Sequence, residues 1–219
     1  MKPLWITFSD PAFAEINAVH FSPSWERYHG GKVDLVRRRP ETEFGDFGTD
    51  KFNNSFARQI ACLHDIVRLY ASSGRTIIWS DTDMRFYGDV LPDVEEAVQA
   101  RDLTTSRDRG THCTGFCAFR ASFKMVRFLE DWMDLNNLGG WEYAQLSFNE
   151  LLQRGTVYRG FFPYEEYWNF GCEDSPVLWE AGMAVNPPAS IKLHHANFTK
   201  GIKNKLALLQ AVRDKVGHD

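Results

Sequence analysis

Leu4 to Phe8 is an apolar run broken only by Thr7, a pattern that predicts a short buried strand, and Val33 to Val36 predicts a second. Between them, Ser22-Pro23 and Gly30-Gly31 are turn signals. Residues 37 to 51 are polar and rich in Arg, Glu, Gly and Asp, so they are expected to form a loop. The strongest periodicity follows. Phe52, Phe56, Ile60, Leu63, Val67 and Tyr70 are spaced by 4, 4, 3, 4 and 3, which keeps one helix face inward for about five turns. Ser72-Ser73-Gly74 ends that helix, and Thr76-Ile77-Ile78-Trp79 is the short apolar run of a buried parallel strand. Strand, amphipathic helix and strand at this spacing make a βαβ unit.

Further strands are predicted at Met84 to Tyr87 and at Gly115 to Phe119. Helices are predicted at Ser122 to Leu135, at Glu142 to Arg154, and from Gly201 to Val216 through Ile202, Leu206, Leu209 and Val212. No repeat, low-complexity tract or linker interrupts the chain. The pattern is one α/β domain with a loop-rich C-terminal third.

Composition narrows the class. At 219 residues, 43% hydrophobic and 25% charged, the chain can build a full core without a metal or disulfide staple. A net charge of -4 argues against a nucleic-acid surface spread over the whole domain. Seven Trp and seventeen Phe point either to a rich core or to a site that stacks on rings or sugars. No stretch approaches the ~18 apolar residues of a membrane span. MKPLWITFSDPAF lacks the apolar core of a signal peptide, so a cytoplasmic location is expected. Cys113 and Cys117 are spaced C-x3-C, which fits neither a redox pair nor a common zinc knuckle. Together with Cys62 and Cys172, they are expected to be reduced thiols.

The most informative segment is Ile77-Ile78-Trp79-Ser80-Asp81-Thr82-Asp83. Open parallel sheets bind ligands beyond the carboxyl ends of their strands. Two carboxylates one residue apart at such an end point the same way in extended chain and suit Mg²⁺ or Mn²⁺. An ordinary acidic turn would have the same sequence. Haloacid-dehalogenase-type phosphatases carry such a pair after their first strand, whereas sugar-nucleotide glycosyltransferases carry it after a nucleotide-binding half. Here about 75 residues precede the pair, which favours the second class.

Near the C-terminus, Leu193-His194-His195-Ala196-Asn197-Phe198-Thr199-Lys200-Gly201 runs from a strand into a loop and then a helix. Imidazole can ligate Mn²⁺, and neighbouring residues of a strand face opposite sides, so one histidine of the pair is expected at the metal. Lys200, Lys203 and Lys205 gather positive charge at a helix start, which suits a diphosphate. A solvated basic helix with a core histidine is the plainer alternative, and zinc bound with Cys113 and Cys117 is a third.

These segments together resemble the nucleotide-diphospho-sugar transferase family of GT-A-fold glycosyltransferases, which includes plant cell-wall xylosyl- and arabinosyltransferase-like enzymes and related microbial and viral transferases. Four stretches carry the resemblance. They are Phe56-Ala57-Arg58; Ile77 to Phe86 with its D-x-D; Thr114-Gly115-Phe116-Cys117-Ala118-Phe119-Arg120, like the family's N-x-G-F strand; and His194 to Gly201 with Lys205 downstream, like H-A-N-W-T-x-G with Phe198 in place of Trp.

The resemblance implies a single GT-A domain with a Rossmann-like, mostly parallel sheet flanked by helices. Its nucleotide-binding half would cover about residues 1–90 and its sugar and acceptor half about 91–219. Asp81, Asp83 and one histidine, His195, would hold Mn²⁺ or Mg²⁺ on the donor diphosphate. Arg58, Ser80, Thr82, Thr114, Gly115, Asn197, Lys200, Gly201 and Lys205 would line the donor site. By fold analogy, Thr7 and Phe8 would face the base and ribose. Gln145 looks like the Gln of the family's D-Q helix, although Ala144 stands where a carboxylate is expected. Lys205, with Lys200 as alternative, would neutralise the leaving phosphate.

The reading is therefore a metal-dependent transferase that moves a sugar from a nucleotide diphosphate, UDP-linked, to a saccharide or other hydroxyl acceptor with retention of configuration. Asp174 and Glu173 are the carboxylates nearest to a catalytic role, with Tyr167 and Trp168 placed to stack on an acceptor. The rivals are a phosphatase or nucleotidyl-processing enzyme with Asp81 as nucleophile and a non-catalytic nucleotide-sugar-binding module.

Overall fold

In a computed structural model, which describes residues 1–9, 11–38, 50–138, 144–169 and 178–217, the apolar runs become the centre of a six-stranded sheet. β1 (Leu4–Phe8) is buried at all five positions. It pairs in parallel with β2 (Asp34–Arg38) and with β3 (Thr76–Ser80). β6 (Thr111–Arg120) then runs antiparallel between β3 and β5 (Leu103–Asp108), and β7 (Arg159–Phe161) closes the far edge parallel to β5. The order is β2-β1-β3-β6-β5-β7, in which only β6 opposes the common direction. The chain leaves β1 to one side for β2 and to the other for β3. Open α/β sheets place their ligands at such a reversal, beyond the carboxyl ends of the strands, here those of β1 and β3.

Side-chain alternation sorts each strand between two cores. Leu4, Ile6 and Phe8 of β1, Ile77 and Trp79 of β3, and Cys117 and Phe119 of β6 meet one helical layer. That layer is α3 (Asp50–Tyr70), α5 (Phe123–Asn137) and α6 (Ala144–Gln153), and Phe56, Ile60, Leu63 and Val67 are the inward stripe of α3. Ser122 caps α5, its hydroxyl accepting from the Met125 amide at 3.2 Å. On the opposite face, Trp5, Ile78, Phe116 and Ala118 pack on α4 (Leu91–Ala100) and on the helices between β1 and β2. Those helices wind through a 3₁₀ turn, α1 (Ala14–Ile16), a π turn and α2 (Ser22–His29).

The turn predicted at Ser22-Pro23 is instead helical, at the point where the π turn runs directly into α2. The Asp34–Arg38 strand starts one residue later and ends two later than predicted. Residues 39–49 of the predicted loop lie outside the described residues.

A second sheet, in the order β4-β9-β8, decides the site. β4 (Met84–Phe86) follows the acidic pair directly and pairs antiparallel with β9 (Leu193–His195), setting Met84 opposite His195 and Arg85 opposite His194. β8 (Tyr167–Asn169) lies parallel on the other side of β9. Gly201, at φ 78°, turns the chain into α7 (Ile202–Val216). Tyr167 and Trp168 are core residues rather than a stacking shelf. Tyr167 lies flat on Phe162 at 4.4 Å and donates its hydroxyl to Asp93, while Trp168 covers His194 at 5.1 Å. Among the described residues, no helix is long and apolar enough to cross a membrane.

Candidate active site

The chain leaves β3 at Ser80, whose buried hydroxyl accepts from the Trp5 indole N–H at 2.8 Å. The next three residues turn into β4 and are pinned from two sides. Asp81 N–H donates to the Gly115 carbonyl at 2.8 Å, and Ala196 N–H donates to the Asp83 carbonyl at 2.9 Å. The two carboxylates thus face His195 of β9. Its Nε2 stands 3.4 Å from Asp83 Oδ1 and 3.6 Å from Asp81 Oδ2. Asp83 is deep, with 9% of its side chain exposed, while Asp81 stands at the mouth with 36%.

The donor set fits a hard divalent cation. One ligand atom from each of the three residues can be chosen so that all lie within 4.8 Å of one another. Octahedral ligands at about 2.1 Å from an ion are about 3.0 Å apart as neighbours and about 4.2 Å as opposites, and the two distances from His195 Nε2, 3.4 and 3.6 Å, fall between these. Gly115 keeps this space open. A Cβ there would run into the His195 ring, 2.8 Å from Nδ1, and come within 3.0 Å of Asp81 Oδ2. Behind the ring, Cys113 Sγ lies 3.9 Å from Nδ1, so both ring nitrogens of His195 have partners.

The charges are unevenly held. Burial pushes Asp81 up to about 6, and the Asp83 carboxylate beside it adds to the rise. Burial acts the same way on Asp83, but Lys205 and His195 outweigh it and hold Asp83 well below the usual carboxylate range. Lys205 donates to the Asp83 carboxylate and, at 2.8 Å, to the Ala196 carbonyl. A cation at the three ligands would favour both ionised carboxylates.

Beside the three ligands lies a second polar cluster. Gln145 of α6 donates through Nε2 to Asp108 Oδ2 at 2.7 Å, and its Oε1 accepts from Thr114 N–H at 3.1 Å. Asn197 Nδ2 donates to the same Asp108 oxygen at 3.4 Å. Four of the residues expected at the site, Thr114, Gly115, Gln145 and Asn197, therefore adjoin the metal ligands through one continuous network.

The other expected residues differ in their surroundings. The ring of Phe8 is in the core, edge-on to Trp79 at 6.4 Å, so it cannot stack on a base. Thr7 is fully buried, its hydroxyl without a partner among the described residues. Thr82 is buried within the turn, whereas Arg58 is exposed on α3 and Lys200 and Gly201 are exposed before α7. Asp174, Glu173 and Cys172 lie outside the described residues. Cys113 and Cys117 are buried free thiols whose protons are strongly held by desolvation. Neither belongs to the candidate metal group found among the described residues.

The pattern described as nucleotide-diphospho-sugar transferase matches residues 16–209, nearly the whole length of the chain. The chain belongs to the nucleotide-diphospho-sugar transferase family. It is thus a glycosyltransferase by class, and solved structures agree on the fold. A glycosyltransferase involved in the glycosylation of the major capsid of PBCV-1 superposes with a TM-score of 0.64 at 10% identity, over 96% of this chain and 100% of that one. The galactosyltransferase LgtC, solved with donor and acceptor sugar analogues, gives 0.56 at 10% identity over 94% and 95%. The bifunctional glycosyltransferase WbbM gives 0.60 at 12% over 91% of this chain and 46% of its own. No curated protein matches the chain in sequence.

Asp108 is a member of the second polar cluster that sequence reading missed. It ends a strand, LTTSRD, whose buried positions after Leu103 are Thr and Ser rather than Val and Ile, so no apolar run marked the strand.

Proposed function

We propose that this transferase moves a sugar from a UDP-linked donor to a saccharide or other hydroxyl acceptor, with Asp81, Asp83 and His195 holding Mn²⁺ or Mg²⁺ against the donor diphosphate. The observation that carries the reading is the convergence of those three ligands over a glycine that leaves no room for a side chain. The cation, when bound, supplies Lewis-acid stabilisation of the leaving diphosphate.

The chain's own residues do the rest. Asp83 is held ionised by Lys205 and is ready to ligate without losing a proton. Lys205 brings a fixed positive charge to the side where the leaving group's charge grows, and such preorganised charge favours the transition state over the ground state. Gly115 and Thr114 let the sugar approach the backbone closely. Gln145 stands on the sugar side of the site. Retention of configuration is part of the proposal, as is a division in which residues 1–90 take the nucleotide and residues 91–219 the sugar and acceptor.

The test is a binding screen of nucleotides and nucleotide sugars with and without Mn²⁺, followed by product analysis. A cognate donor at 100 times its Kd should stabilise the fold by about 2.7 kcal/mol. Stabilisation by UDP-sugars only when Mn²⁺ is present, followed by release of UDP, supports the reading. Phosphate release from sugar phosphates without any response to UDP would replace it with a phosphatase.

A further inference from the structure

We infer that Asp108 is a positioning residue of this site, fixing the side-chain amide of Gln145 in one of its two orientations. The two ends of a glutamine amide are alike in shape and opposite in chemistry, so its neighbours decide which way it points. Here the neighbours agree. Asp108 has only acceptors to offer and takes Nε2 at 2.7 Å, while the Thr114 backbone N–H has only a donor and takes Oε1 at 3.1 Å. The Thr114 hydroxyl also donates to Oε1, at 3.4 Å. The residues flanking Gln145 cannot hold it, since Ala144 and Leu146 carry no polar group.

The same Asp108 oxygen accepts from Asn197, two residues beyond His195, so one carboxylate joins β5, α6 and the segment after β9. Hydrogen bonds to an ionised acceptor are roughly twice as strong as neutral ones. Thr114 directly precedes Gly115, which abuts His195 and Asp81, so a rotated Gln145 amide would disturb the wall of the site nearest the metal ligands. Asp108, Gln145 and Asn197 are all half-buried, which leaves the cluster open to a bound sugar. The inference rests on the transferase reading for its consequence and on the hydrogen bonds alone for its geometry.

Two measurements separate these. In protein labelled with ¹⁵N-glutamine, the Gln145 side-chain amide pair is assigned by its loss in Gln145→Ala. The pair should be shifted and slow to exchange in the native chain and in Asp108→Asn, whose amide oxygen still accepts. It should collapse toward free-glutamine positions in Asp108→Ala. Unchanged signals in Asp108→Ala overturn the inference. In turnover with Mn²⁺ and donor, Asp108→Ala should lower kcat by about 10²-fold, as a misplacement near 1 Å does, with KM for the donor changed far less. Asp108→Asn should retain most of the rate, and Asp108→Ala should cost nothing further in the Gln145→Ala background. Additive losses, or an Asn variant as slow as the Ala variant, would mean that Asp108 acts on substrate by its charge and not through Gln145. If the native chain turns over no donor, the transferase reading falls, and the amide signals alone decide whether Asp108 fixes Gln145.

Discussion

The two faces of β9 carry the same side chain into opposite surroundings. His194 and His195 are adjacent and almost fully buried, at 0% and 2% exposure. His195 meets two carboxylates through Nε2 and a thiol through Nδ1. His194 meets the Trp168 ring, and neither of its nitrogens has a partner among the described residues. Burial, with His195 and His20 adding to the effect, pulls His194 down to about 3, so it is a neutral aromatic block. Residue type and depth therefore do not identify a ligand. The period-two geometry of the strand does, together with β4, which delivers both aspartates to one side of it.

The largest expected effect comes from stripping the functional face. Asp83→Ala should weaken Mn²⁺-dependent UDP binding by at least about 10²-fold, the upper range for losing even an outer-shell partner of a metal ligand. The fold should stay intact, because a carboxylate at a strand end belongs to the site. Calorimetric titration of UDP with and without Mn²⁺ checks this, and unchanged affinity in a folded variant removes the metal assignment.

Next in size is Lys205→Ala, which should lower kcat by about 10²-fold, the scale of one preorganised electrostatic donor, with a smaller loss of donor affinity. Lys203, exposed on the same helix, is the control and should be silent. A silent Lys205→Ala with a crippled Lys200→Ala would move the phosphate contact to the loop before α7.

Gly115→Ala tests the cradle from below. Its methyl group must displace His195 or Asp81, so metal affinity should fall about tenfold or more, the range for disturbing a ligand's support. Gly88→Ala, where the new Cβ would meet only Lys192, from 3.1 Å, should leave metal affinity unchanged.

The smallest effect belongs to the structural face. His194→Phe replaces two unpaired nitrogens by carbon in a buried aromatic stack, so thermal stability should hold or rise slightly while Mn²⁺ affinity is untouched. A loss of metal binding here as large as that in His195→Ala would erase the contrast between the two faces.

Much of this was legible in the chain. Ile77-Ile78-Trp79 carried the pattern of a buried strand, and α3 declared itself through five turns of apolar spacing. The alternation rule put the two histidines on opposite sides of their strand before any contact was known, but not which of them faced the aspartates. The rest was hidden for physical reasons. Ser22-Pro23 carries the same letters in a turn and in the first turn of a helix. Tyr167 and Trp168 are as good at filling a core as at stacking on a sugar, and only the second sheet shows which they do. Asp108 stands 37 positions before Gln145, a pairing that no local pattern can encode.

His195, and not His194, is proposed as the nitrogen ligand of the cation site. Pulsed electron paramagnetic resonance on Mn²⁺ bound with UDP tests it directly, reading the coupling from a coordinated imidazole nitrogen and its change on ¹⁵N-histidine labelling. One such nitrogen is expected in the native chain and in His194→Phe, and none in His195→Ala. A nitrogen signal that survives in His195→Ala, or that vanishes in His194→Phe, would contradict it.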